Sequence, residues 1–501
     1  MAKTLALGLL VAAVLPGTAA AAEFRVIVVP GLELADLRPL SERGAVGLLV
    51  PDAGPETSRE RALAALERGD VRNSRLGGEP SGEPLLEAEF AQGPPAGPAI
   101  VLGLPSGGTQ ANERRYPIAV IAPGYRGLLT SDSTRIPGLV SIADVAPTAL
   151  DREGRLGSQA SDDPVAALTR LDDRILANRE ASTAVFRVSV ALLVALAVFV
   201  PSAVLPGFAA VLLANLVLGI AGATHIWVDV LVIVLFVAAA LVFARLPLLA
   251  HGLLLVGVVT AYLVAMGIDD TWVALSPLGP TQNSRFYGLS NLLATFLLVP
   301  ALAGAAILGR RFGLWALGAV AALALVMVGG SQFGADGGGV LVLLAGFGVL
   351  IALTEGLTRR TAILAAIAVG LLVLALAVGG GSHVTEAVRD GPAGLVEDFW
   401  RRLQLSWLRA TSGWRVGLLV VGGIVALTLL AFRERRALLA AYLAALAVSL
   451  LVNDSPNDVI AAGLVGYLAL SSAPGVARPA GERAKSAAPP RRAQSAPAAS
   501  P

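Results

Sequence analysis

From Ala184 onward the chain consists of apolar runs of about 17 to 22 residues separated by short polar joins, the length at which a helix crosses the hydrocarbon layer of a bilayer. Runs lie at 184–204, 207–224, 227–244, 247–267, 289–308, 313–330, 338–354, 361–380, 415–432, 437–452 and 458–472. They predict an all-α polytopic transmembrane domain of about eleven helices. Composition agrees, since 55% of the 501 residues are apolar and 15% charged, far from a soluble globular balance. The absence of cysteine excludes disulfides, thiolate metal sites and a cysteine nucleophile. The net charge of +2 comes with bases gathered in short loops and a tail, so no nucleic-acid partner is implied.

The first third reads differently. Residues 1–22 carry Lys3, an apolar run from Leu5 to Leu15, a Pro16-Gly17 break and a terminal Ala20-Ala21-Ala22, the pattern of a secretory signal peptide. An uncleaved first membrane helix is the alternative, and either one delivers the following residues outside. Residues 23–182 alternate short apolar runs (Phe24 to Val29, Val46 to Val50, Ile100 to Leu104, Ile118 to Ile121) with helical stretches such as Glu60 to Leu66. That alternation predicts an extracytoplasmic α/β domain with a mostly parallel sheet covered on both faces. The membrane domain then occupies 183–472, and residues 473–501, rich in Ala, Pro, Ser and Arg, form a disordered cytoplasmic tail.

An exported amino-terminal domain fixes the side of every later loop. Arg245, Arg310 with Arg311, Arg359 with Arg360, Arg433 with Arg435 and Arg436, and the basic tail all then fall inside, as expected for a multi-pass protein of the bacterial cytoplasmic membrane. The long outer segment from Ser382 to Arg415 is the exception. Within it Val396, Trp400, Leu403 and Trp407 form a helical stripe, which places a helix in the outer membrane interface or against the soluble domain.

With sidedness fixed, the unusual polar loops share the outer face. Asp269 and Asp270 close the fourth span, and residues 276–288 follow, with Arg285 and Tyr287 before Asn291. Gln332 to Gly339, containing Asp336, joins the sixth and seventh spans; Asn453 to Asp458, containing Asp454, joins the last two; Asp229 lies just inside the third. Ionisable groups near membrane depth are costly and mark cavities or paired networks. The expected catalytic carboxylates are Asp336, Asp270 and Asp454, acting as a general base or as oxygen ligands of a divalent cation (Mg, Mn or Ca). Arg285, Tyr287, Asn291, Gln332, Asn453 and Asp458 are the expected substrate-binding residues, Arg285 as a clamp for phosphate. Structural readings stand beside these: the glycines as close-packing positions, and Asp454 and Asp458 as helix caps. His251, inside the fourth span without an acid near it in sequence, reads as structural.

Residues 116–150, ending in Asp144-Val-Ala-Pro-Thr148, resemble the late strand and helix start of the alkaline phosphatase and sulfatase superfamily. The resemblance implies that superfamily's α/β fold. It carries over no catalytic residue, because this domain has neither His nor Cys and Val29-Pro30-Gly31 stands where the family's first metal-binding Asp would be. Asp52 and the hydroxyl-rich Thr130, Ser131, Ser133 and Thr134 do not replace that set, so a degenerate, catalytically inactive domain is implied. The membrane half resembles a group of bacterial polytopic proteins through Arg285-Phe-Tyr-Gly288 and Gly334-Ala-Asp-Gly-Gly-Gly339, which implies that these loops work as a unit and names no activity. The layout is also similar to that of enzymes that transfer phosphoethanolamine to lipid-linked glycans. The resulting expectation is an envelope protein acting on a lipid-linked or envelope substrate at the outer leaflet, with membrane lipids and a lipid-linked glycan as partners. A lipid or precursor transporter or flippase, and a scaffold recruiting partners through the soluble domain, are the alternatives.

Overall fold

A computed structural model describes residues 24–77, 82–150, 155–280, 286–330, 332–334, 336–356, 358–359, 363, 391–453 and 455–473. The expected signal peptide, the span at 361–380 apart from Ile363, the greater part of the tail, and Arg285 and Asp454 lie outside them.

The amino-terminal part is an α/β unit. In chain order it comprises β1 (Arg25–Val28), α1 (Leu37–Ser41), β2 (Ala45–Val50), β3 (Glu56–Thr57), α2 (Arg59–Arg68), β4 (Glu89–Phe90), β5 (Ala99–Leu102), β6 (Gln110–Ala111), β7 (Tyr116–Ile121), β8 (Gly127–Ser131), β9 (Leu139–Ser141), α3 (Val145–Ala149) and β10 (Leu156–Gln159). The main sheet runs β10-β8-β2-β7-β5-β1-β4, with β9 also on β2. It is mixed rather than mostly parallel, because β7 lies antiparallel to both β2 and β5. A parallel neighbour needs a crossover, usually helical, whereas residues 103–115 between β5 and β7 contain no helix and bring the chain straight back. Strand alternation sorts the apolar residues onto two faces. Val26, Val28 and Leu49 pack with Ala62, Ala65 and Leu66 of α2, while Ile27, Val46 and Leu48 pack with Leu37 and Leu40 of α1.

The second face is covered by more than the soluble unit itself. Helix α4 (Pro164–Phe199) starts under it with Asp163 as N-cap, its carboxylate accepting from Ala166 N–H at 3.0 Å, and Pro164 in the first turn. It then runs unbroken for 36 residues, about 54 Å at 1.5 Å per residue. Leu168 and Ile175 belong to the soluble core; Val185, Leu193 and Leu196 belong to the membrane core. The change in hydropathy near Ser182 is therefore not a structural break, because no Gly or Pro interrupts residues 165–199.

The remaining elements are α5 (Val204–Ala221), α6 (Ile226–Phe243), α7 (Leu248–Ile268), α8 (Thr271–Ala274), α9 (Asn291–Phe312), α10 (Leu314–Gly329), α11 (Gly337–Glu355), α12 (Gly391–Ala410), α13 (Trp414–Arg433), α14 (Ala437–Val452) and α15 (Pro456–Ser472). Among the described residues seven helices are long and apolar enough to cross a membrane, and α10 and α14 are shorter apolar helices. The chain is thus an α/β unit followed by a multi-helix bundle of membrane-protein character. Helix α9, the most enclosed together with α5, sits in the middle against α7, α10 and α15. Helix α13 is at the edge, with 17% of its apolar window buried.

Contacts at one end of the bundle set the position of the soluble unit. Ala274, Leu275 and Phe286, from the segment between α7 and α9, are part of the soluble core. The Leu275 carbonyl accepts from Arg174 at 3.1 Å and Asn178 at 2.7 Å, both on α4. Arg174 also donates to the Gly219 carbonyl at the end of α5. Below this, Asn215 donates to Tyr262 Oη (3.1 Å) and Ser276 Oγ (3.0 Å) and accepts from Leu278 N–H (2.9 Å), so its buried amide is fully used in holding the 271–280 segment down.

Candidate functional site

At the bundle end beneath the soluble unit, the residues singled out by sequence fall into two clusters. The first is built by the return from α10 into α11. Gly334 N–H donates to Met327 O and Asp336 N–H to Val328 O, both at 3.0 Å, so the chain folds tightly back over the last turn of α10. Asp336 is thereby drawn inward and is 2% exposed. It occupies the N-cap position of α11, yet its side chain makes no capping bond, and among the described residues Oδ2 has no hydrogen-bond partner. A buried acceptor left without a donor costs about 1–3 kcal/mol, more when charged.

Asn453, at the end of α14, faces the same place. Its Nδ2 donates to Ser449 Oγ at 2.8 Å, while its buried Oδ1 has no partner among the described residues. A Cβ added to Gly338 would lie 3.2 Å from Asn453 Oδ1 and 3.4 Å from Asp336 Oδ1, and one on Gly339 would lie 2.7 Å from Asp336 Oδ2. Gly338 thus leaves room beside Asn453 Oδ1 and Asp336 Oδ1, and Gly339 leaves room beside Asp336 Oδ2. Alongside is a cavity of about 10 Å³ lined by Thr295, Met327, Val328, Gly339, Ser449 and Asn453, enough for roughly one water. Two neighbouring side chains that each keep an acceptor without a donor among the described residues can receive a proton, a hydroxyl, an ammonium group or a cation.

The fit to a hard divalent cation is poor on these residues alone. Asp336 and Asn453 offer neighbouring oxygens, against the six to eight that Ca²⁺ takes, and among the described residues no group of three or more Asp, Glu or His is arranged around one point.

The second cluster joins the two halves of the protein. Between β8 and β9 the chain leaves the sheet in a turn in which Arg135 has a positive φ of 56°, a conformation that non-glycine residues rarely adopt. Its guanidinium lies 4.1 Å from the ring centre of Tyr287, which precedes α9, in a cation–π contact. Asp270 lies within the field of the same arginine. Burial pushes its carboxyl up to about 6, with Arg135 opposing and Asp269 adding to the rise, and its buried Oδ1 has no hydrogen-bond partner among the described residues. Asp269 instead accepts from Thr271 N–H (2.8 Å) and Oγ1 (2.7 Å), closing the turn after α7.

Asn291 opens α9 behind its Ser290 cap, and its carbonyl accepts from Thr295 Oγ1 at 2.7 Å, so the segment after Tyr287 leads one turn down to the wall of the small cavity. Gln332 is exposed in the α10–α11 turn, and Asp458 is exposed in the first turn of α15. Phe333 stands between the ends of α7 and α10, 3.4 Å from a Cβ placed on Gly267 and 2.7 Å from one on Gly330. Among the described residues no hydrogen bond joins Asp336 to Asp270. Asp229 is buried in the first turn of α6, with Oδ1 unpartnered among the described residues. Four participants escaped sequence reasoning. Thr295 and Ser449 are ordinary in apolar helices, Arg135 is one of many arginines, and Asn457, whose Oδ1 is buried without a partner among the described residues, was legible only as part of the polar run 453–458.

In the soluble unit the acids serve the fold. Asp52 is paired with Arg61 at 2.8 Å and accepts from Ala53 N–H. Asp144 accepts from Ser131 Oγ and from Ser133 Oγ (2.7 Å), which absorbs the hydroxyl-rich loop. Burial pushes both carboxyls up, against the pull of those donors. His251 bonds the Phe243 carbonyl at 2.9 Å, a structural contact.

No protein-family model, curated protein or solved structure matches this chain.

Proposed function

We propose that this chain is a bacterial cell-envelope protein that acts on a lipid-linked or envelope substrate at the outer leaflet, through a polar site formed by its extracytoplasmic loops. The observation that carries the reading is a pair of buried acceptors, Asp336 Oδ2 and Asn453 Oδ1, that have no hydrogen-bond partner among the described residues and belong to a carboxyl and an amide that both flank Gly338 at the bundle end under the soluble unit. Such a pair weakens the fold and is retained where it serves a ligand or a proton. In this account Asp336 accepts a proton from a substrate hydroxyl or amine that enters beside Thr295, and Asn453 orients the donor. Asp270, held near neutrality beside Arg135, is poised to exchange a proton with a group bound between soluble unit and bundle. The soluble unit is a phosphatase-like domain without catalysis, consistent with Asp52 and Asp144 being taken up by internal bonds.

The membrane domain has about eleven spans in this reading, with the soluble unit outside and the arginine-bearing ends of α6, α9 and α13 inside. Transport is less well supported. Asn215 and His251, polar groups inside the bundle, bond to the chain itself. The test is lipid and envelope-precursor profiling of a strain lacking the gene. A precursor should accumulate, wild-type protein should clear it, and Asp336→Asn at equal abundance should not. Full clearance by Asp336→Asn would remove the proposed site.

A further inference from the structure

A second, larger cavity lies where α12, which also touches the turn Ser74–Leu76 of the soluble unit, meets α13. It has a volume of about 820 Å³ and is lined by Leu403, Trp407, Val421, Ile424, Leu450 and, from the soluble unit, Leu76. That size is within the range of ligand-sized pockets, about 300–1,000 Å³. Its depth follows from α13. The helix starts at Trp414 and Ile424 is the deepest lining residue on it, a descent of about 15 Å at 1.5 Å per residue, half of the roughly 30 Å hydrocarbon layer. With α13 standing across the bilayer, the groove is as deep as one leaflet.

Two tryptophans, Trp400 and Trp407, line it, and two arginines stand next to its lining in sequence, Arg75 before Leu76 and Arg415 two residues before Gly417. Trp400, Trp407 and Trp414 are all exposed, as expected of side chains at a membrane–water interface. Arg415 stands beside Trp414, its guanidinium 5.3 Å from the ring centre. Arg75 is exposed on the turn Ser74–Leu76, next to the residue that roofs the groove. Neither arginine forms an ion pair among the described residues, and no Asp or Glu lines the groove. A bilayer-facing crevice needs neither a roof from the soluble unit nor flanking arginines.

We infer that this groove binds one anionic, phosphate-headed lipid of the outer leaflet, its chain against Val421 and Ile424 and its phosphate at Arg75 and Arg415. The inference rests on the lipid-substrate reading above and names the place where the substrate's lipid part is held. Arg75 and Leu76 make the soluble unit part of the site, which gives a non-catalytic domain a task.

The test uses the full chain in nanodiscs, with native mass spectrometry counting retained lipid and brominated lipids quenching tryptophan fluorescence. Wild-type protein should retain one phosphatidylglycerol in preference to phosphatidylcholine. The double variant Arg75→Gln, Arg415→Gln should bind it about 30-fold more weakly, at roughly a factor of five per arginine near the surface. Val421→Trp, at a 61% exposed position that should not disturb folding, should weaken retention by narrowing the groove, and Ile424→Trp should do the same. Asp336→Asn should retain lipid like wild type, which separates this inference from the proposed chemistry. Equal retention by wild type and both tryptophan variants, or no preference for the anionic lipid, would overturn it.

Discussion

Replacing Asp336 by Asn should stabilise the protein while abolishing its activity. In the wild type, Asp336 Oδ2 is buried without a donor among the described residues, and the same carboxyl flanks Gly338 together with Asn453 Oδ1, a second acceptor. Asn keeps the shape and gives that neighbour an N–H, relieving an unsatisfied group worth about 1–3 kcal/mol. Two opposing effects are small. Asp336 makes no capping bond in α11, and Asn caps as well as Asp, so that loss is near zero. Removing a negative charge from a helix N-terminus costs about 0.3–1 kcal/mol. The balance favours the variant by about 1–2 kcal/mol, a rise of a few degrees in melting temperature. The assay is thermal unfolding of both proteins in identical nanodiscs, followed by tryptophan fluorescence and run beside the precursor-clearing test. A loss of more than about 1 kcal/mol would mean that the carboxylate has a structural partner, and the reasoning would fail.

Gly339→Ala should disturb the same site sterically, since its Cβ would lie 2.6 Å from Val328 Cγ1 and 2.7 Å from Asp336 Oδ2; overpacking of about 1–3 kcal/mol should outweigh the helix-propensity gain of about 1 kcal/mol. Gly348→Ala in the same helix meets nothing within 4 Å and should be stabilising in the same unfolding assay. Arg61→Leu leaves the 1% exposed Asp52 carboxylate without its partner and should destabilise the soluble unit by about 3 kcal/mol, read as faster proteolysis of that unit in the full chain. Asp270 has a folded-state value of about 6 against an ordinary 3.8, so its contribution to stability is fully present below about pH 4 and is lost as pH rises through about 6. Asp270→Asn should flatten that part of the stability profile.

The parts of the fold legible in sequence were those written as local pattern. The run Val46 to Val50 became β2, Glu60 to Leu66 became the middle of α2, and the long apolar runs among the described residues became helices. Strand direction was not local, because the sense of β7 depends on what residues 103–115 fail to contain. The continuity of α4 was readable in principle from the absence of Gly and Pro, but a change in hydropathy near Ser182 looks like a boundary when only polarity is followed. At the site, the acids and glycines between Gln332 and Gly339 stood out as costly residues in an apolar context. The pairing of Asp336 with Asn453 rather than with Asp270 depends on which helix ends pack together. Arg135 is illegible by any local rule, since its role follows from one strained turn meeting a loop more than 130 residues away, at Tyr287.

The account depends on the soluble unit and the polar turns sharing the outer side of the membrane. The chain contains no cysteine, so single cysteines can be introduced at the half-buried Ser161, at the exposed Gln332 and Ser412 and at Phe312 on the opposite end, then probed with a membrane-impermeant maleimide on intact spheroplasts. Labelling of Ser161→Cys, Gln332→Cys and Ser412→Cys from outside, with Phe312→Cys reacting only after permeabilisation, is the predicted result. Labelling of Gln332→Cys only after permeabilisation, while Ser161→Cys reacts from outside, would contradict it.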